Sequence, residues 1–142
     1  MLIEEAFYTL MKNNLGVSAI ASDRIYPVTM PQLEKGKTFY PAVVFEMAAR
    51  ERQQSHDGPT GLVKSHFTVS PLGPNYFEVK TLADKVRLAV NGKSAELAAI
   101  FGNHVRGVFL ENEADDYVFD EIEQLSLYQV VQEFSIQHKE EN

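Results

Sequence analysis

The chain contains no cysteine and no tryptophan. Without thiols it can form no disulfide, no thiolate nucleophile and no zinc–thiolate cluster. Long apolar runs are missing as well, and no stretch approaches the ~20 consecutive apolar residues of a membrane-spanning helix. Met1-Leu2-Ile3-Glu4-Glu5 places no basic residues ahead of an apolar segment, so no secretory leader is legible. An excess of positive charge is lacking too. Thirteen Lys and Arg stand against 20 Asp and Glu, for a net charge of −7. No basic stripe is available to neutralise phosphates, which argues against specific nucleic-acid binding.

Familiar catalytic signatures are equally scarce. The four histidines, His56, His66, His104 and His138, are scattered without metal-ligand spacing. No G-x-S-x-G elbow is present, and Gly102-Asn103-His104-Val105-Arg106-Gly107 lacks the Lys-Ser/Thr that completes a phosphate loop. Ser55-His56-Asp57 contains triad residue types, but sequence neighbours cannot converge in the geometry a triad needs. What is there is a chain of 142 residues, 44% hydrophobic. That suits one ordinary domain, residues 1–142, burying roughly 70% of its unfolded surface. The expectation is a soluble intracellular protein with no cofactor, no bound metal and no membrane partner.

Periodicity supplies the elements. Ile3, Ala6, Phe7, Leu10 and Met11 recur at helical spacing, with Glu4 and Glu5 in the first turn where the helix dipole favours acids. Asn13-Asn14 and Gly16 are expected to end this helix. Residues 25–41 read as a long irregular connector with Pro27, Pro31 and Pro41, and either Tyr-Pro bond could be cis. Alternation of Val43, Phe45 and Met47, and of Val63, Ser65, Phe67 and Val69, predicts one long hairpin over 42–70. Its far end is polar on both faces and should project from the core. Pro71-Leu72-Gly73 is expected to break the strand. A second main helix follows with Val79, Leu82, Ala83, Val86 and Val90 on its apolar stripe, leaving Lys80, Lys85 and Arg87 to solvent. Two further strands, 104–111 and 125–138, complete an α+β reading: a small antiparallel or mixed sheet with a long hairpin, packed on two main helices.

The charge has a location. Glu111, Glu113, Asp115, Asp116, Asp120, Glu121 and Glu123 lie together with no Lys or Arg among them, and these seven account for the whole net charge. Read as a loop over 111–123, the segment is open to three uses: a solvated connection, a charged contact face, or a hard-cation site of the kind carboxylates provide. The regular acid spacing and central glycine of a calcium loop are missing.

Three stretches taken in order resemble one family. Asp23-Arg24-Ile25-Tyr26-Pro27, then Met30-Pro31-Gln32, then Tyr40-Pro41-Ala42-Val43-Val44-Phe45 are similar to the N-terminal pattern of the tail-completion (tail-terminator-like, head–tail joining) proteins of long-tailed bacteriophages and prophages. Asp57-Gly58-Pro59-Thr60-Gly61-Leu62 resembles that family's hairpin turn, and Gly107-Val108-Phe109-Leu110-Glu111-Asn112-Glu113 resembles the strand before its acidic loop. The turn Asp120-Glu121-Ile122-Glu123-Gln124 lacks the glycine usual there. The resemblance implies a non-enzymatic virion protein, assembled in the bacterial host cytoplasm. It would form a homo-hexameric ring at the head-proximal end of the tail, with the tail tube protein and a head-side connector as partners. The alternatives are another minor tail or head-side connector protein, or a carboxylate–metal enzyme.

A closed ring needs two different patches per subunit, because its contacts run head to tail. Arg50, Arg52, Asp57, Gly58, Thr60 and Lys64 at the hairpin end are candidates for one patch. Glu113, Asp115, Asp116 and Asp120 are candidates for the other. The basic residues are expected to meet the acidic segment of a neighbouring copy.

Overall fold

A computed structural model of the chain describes residues 1–29, 40–55, 58–121 and 124–140. Four helices and five strands follow in the order α1 (Ile3–Lys12), α2 (Leu15–Ala21), β1 (Ile25–Pro27), β2 (Ala42–Ser55), β3 (Gly58–Gly73), α3 (Tyr76–Val90), α4 (Ser94–Phe101), β4 (Val105–Asp120) and β5 (Leu125–Lys139). The strands form one mixed sheet ordered β1-β2-β3-β5-β4, antiparallel throughout except for the short parallel pairing of β1 with β2. The fold is α+β.

Local chemistry sets the helix boundaries. The Leu2 amide donates to the Glu5 carboxylate at the start of α1. Asn13 ends that helix, but Asn14 opens the next one instead of closing the first: its side-chain oxygen accepts from the Val17 amide at 3.1 Å. Gly16 therefore lies inside α2, contrary to the terminator role expected of it. Asn75 caps α3 in the same way through the Glu78 amide. Gly102, with φ of +77°, closes α4, a helix that periodicity does not single out because its eight residues, SAELAAIF, are mostly alanine and other apolar types with little polar contrast between faces.

The core lies between the helices and one face of the sheet. Phe7 of α1 is buried with its ring stacked on Phe67 at 4.4 Å, and Phe45 and Phe134 stand 5.9 and 6.2 Å away. Leu82, Val86 and Val90 of α3 join this cluster, as do Leu97 and Phe101 of α4. Two hydrogen bonds tie buried polar side chains into this core. Ser65 Oγ and His138 Nε2 are 2.8 Å apart, and Gln132 donates to the Ala83 carbonyl at 2.8 Å, fastening β5 to α3.

Several expectations need correction. Pro71 does not end β3: the strand runs to Gly73, pairing Val43 with Pro71 and Ala42 with Leu72. The proline's missing amide shows on the other side, where the β3–β5 ladder is interrupted between Val69 and Leu72. The connector 25–41 contains β1, three residues too short to show alternation. Arg24 anchors this motif by donating to the carbonyls of Pro41 and Ile20, and the Tyr40–Pro41 bond is cis. Met30, Pro31 and the rest of 30–39 lie outside the described residues. The largest correction concerns the acidic segment. It is not a loop: β4 continues unbroken from Val105 to Asp120, and its last rungs pair Tyr117 with Tyr128 and Asp120 with Leu125. Tyr117-Val118-Phe119 has strand-forming chemistry, which outweighs the acids flanking it.

Candidate functional site

Register places the two hairpins at opposite ends of the sheet. The rung Arg52–Val63–His138–Val105 crosses β2, β3, β5 and β4 at one end. The rung Ala42–Leu72–Gln129–Asp116 crosses them at the other. Nine residues of β5 separate the two, about 30 Å at ~3.3 Å per residue. Beyond the first rung the β2–β3 hairpin extends past the end of β5. Beyond Tyr128, which faces Gly73, the β4–β5 hairpin continues alone as a two-stranded arm.

Charge follows the same axis. At the β2–β3 end stand Arg50, Arg52, Lys64, Arg106 and Lys139. Arg50 is engaged within the chain, 3.1 Å from Glu4 and with its side chain only 18% exposed. Arg52 reaches Glu140 at 2.7 Å but is 51% exposed. Among the described residues Lys64, Arg106 and Lys139 have no carboxylate partner. Arg106 was not expected here. It enters from the β-bulge at the start of β4, and β5 carries it to the same end as Lys64, a proximity across 42 residues that sequence spacing does not reveal. Leu62, Lys64, Arg106 and Gln137 border a small recess of about 80 Å³ at this end. Asp57 lies outside the described residues. Gly58 and Thr60 fall in the first rungs of β3, where the backbone alone is described.

The opposite end is acidic and aromatic. Residues 111–119 are exposed without interruption, as befits an edge strand with one free side and no layer over it. Asp115 is held to α3: Tyr76 donates to it at 2.6 Å and Lys80 at 2.9 Å. The Tyr76 hydroxyl, and after it Lys80, hold the Asp115 carboxyl below the ordinary value of 3.8. The same contact raises Tyr76 above 10.0 and Lys80 above 10.5. Lys80, expected to be simply solvated, is therefore a strut between α3 and β4. Glu113 accepts from Gln132 and Asp116 from Gln129, and neither forms a salt bridge among the described residues. The side chain of Asp120 is not described. Negative charge along a free strand edge opposes pairing of that edge with a copy of itself.

Rings cluster at the same place. Tyr76 lies 5.5 Å from both Phe77 and Tyr128, and Tyr117 lies 5.9 Å from Tyr128. Phe77 is 79%, Tyr117 56% and Phe119 47% exposed. Reading 111–123 as a loop hides Tyr117 and Phe119 as parts of a strand. The available signal was Tyr-Val-Phe within the acids, a strand composition with apolar side chains on both faces.

As for chemistry, no three His, Asp or Glu side chains among the described residues are placed to hold a metal ion. Among the described residues no helix is long and apolar enough to cross a membrane. The candidate residues make two surfaces, one cationic and one anionic with apolar rings, at opposite ends of one sheet.

Comparison with known proteins supplies a fold relative. No protein-family model matches the chain, and no curated protein sequence matches it. Among solved structures it is similar to a chain of the "Virion of native gene transfer agent (GTA) particle", with a TM-score of 0.71 and 13% sequence identity. The likeness covers 96% of this chain and 93% of that one. At that identity the likeness establishes a shared fold, along nearly the whole of both chains.

Proposed function

We propose that the chain is a non-enzymatic structural protein of a long-tailed phage or prophage particle. In this reading it closes as a homo-hexameric ring on the head-proximal end of the tail tube, stops tube growth and presents the surface to which the head-side connector binds. The observation that carries the reading is the placement of oppositely charged surfaces at opposite ends of one sheet, in a fold shared with a virion chain. Such a subunit is built for head-to-tail contacts, which close into rings when the rotation between neighbours permits. Cation against carboxylate across that contact sets register and encounter rate more than raw affinity. The sequence motifs resembling tail-completion proteins supply the assignment to the tail, and the fold is compatible with it.

Sedimentation with assembled tail tubes of the same particle tests this. The chain should pellet in an amount set by the number of tubes, whatever their length, because it occupies an end. Binding that grows with tube length would indicate a component of the tube wall. Binding to the head-side connector alone would assign the chain to the head.

A further inference from the structure

The β4–β5 arm exposes more apolar surface than a free strand edge in water should. Tyr117 and Phe119 project from one of its faces and Val118, 40% exposed, from the other, while Phe77 of α3 extends the ring cluster at its base. An exposed apolar patch rimmed by charge is the mark of a contact surface. An occupant bringing positive charge would complement it, because among the described residues Glu111, Glu113 and Asp116 along the arm form no salt bridge. One surface of the same molecule meets that need: the recess bordered by Leu62, Lys64, Arg106 and Gln137, where among the described residues neither Lys64 nor Arg106 has a carboxylate partner. The arm cannot reach it within one molecule, since the sheet holds the two about 30 Å apart by its ~3.3 Å per residue. Arm-to-arm contact between copies would set carboxylates against carboxylates.

We propose that the Tyr117–Phe119 tip of the arm seats against the Lys64–Arg106 end of the sheet in a second copy of the chain, with Asp116 meeting those cations. This contact deepens the ring reading by naming the surfaces that form it.

The absence of cysteine allows a direct test on the full chain. Val118→Cys is placed in one preparation and Leu62→Cys in another, and the two are mixed with a short bis-maleimide. Cross-linked heterodimer should form well above the level of either preparation alone. Adding Asp116→Lys to the first chain should lower its rate about tenfold or more, as expected when like charges meet. Adding Lys64→Glu to the second chain should restore it. Placing both cysteines in one chain should give a ladder of linked species instead of dimers alone. No heterodimer above background, or a rate indifferent to both charge changes, would overturn the contact. Sizing of the unmodified chain separates this from the ring reading. Rings without the cross-link discard the arm contact and keep the ring, whereas a charge-sensitive cross-link in a chain that never closes keeps the contact and discards the ring.

Discussion

Truncating Phe7 to alanine is expected to lower the unfolding free energy by about 3–5 kcal/mol, the usual cost of removing a buried phenylalanine. Phe7 is the point where α1 meets the sheet. Its ring stacks on Phe67 of β3 and lies near Phe45 of β2 and Phe134 of β5, so the cavity left behind would be bordered by three strands at once. Rings held on sheet strands cannot collapse into the space without moving the strands themselves, which places the expected loss toward the upper end of that range. A domain of this size has about 5–15 kcal/mol in total. The variant should therefore be marginal at room temperature. Urea unfolding followed by circular dichroism measures the change. A loss below about 1 kcal/mol would mean that the helix layer is not packed on the sheet as described.

The second large effect separates two arginines that the sequence treats alike. Arg50→Glu would leave two carboxylates facing each other where Arg50 now meets Glu4, at a site whose arginine is mostly buried. Breaking a fully buried pair costs about 3–5 kcal/mol, and the partial exposure of Glu4 reduces this to roughly 2 kcal/mol. Arg52→Glu removes an exposed pair with Glu140 and should change stability by no more than about 0.5 kcal/mol. Equilibrium unfolding of the two variants side by side reads the difference. Equal stabilities would show that the Arg50–Glu4 contact carries no weight. The consequence for assembly is practical: a failure of Arg50→Glu to form rings would report a weakened monomer, so Arg52, Lys64 and Arg106 are the positions at which charge reversal probes the interface.

Much of this architecture is legible in the sequence wherever burial imposes a period. Ile3 to Met11 and Val79 to Val90 announce α1 and α3, and the alternation around Val43–Met47 and Val63–Val69 announces the first hairpin. Legibility falls where a tertiary partner overrides local chemistry. Pro71 reads as a stop, yet β2 holds β3 in register through it. The acids of 111–120 read as a loop, yet β5 pairs with them from Val105 to Asp120, and Tyr76 with Lys80 holds Asp115 against α3. Helix α4 escapes notice because its alanines blur the contrast between its buried and exposed faces. Of the candidate interface, the segregation of acid from base is visible in the sequence as the single acidic cluster. Arg106 is not visible, since its place depends on which strands lie side by side, and Tyr117-Val118-Phe119 signals a strand without showing that it forms the tip of an arm.

The claim at the centre of this account is that identical chains associate head to tail into a closed ring. Light scattering coupled to size exclusion, over a wide concentration range and with electron microscopy of any large species, tests it most directly. The expected result is a species of six times the 16.0 kDa chain mass, seen as six-membered rings and unchanged by magnesium. A two-fold dimer that holds a divalent ion tightly would contradict it.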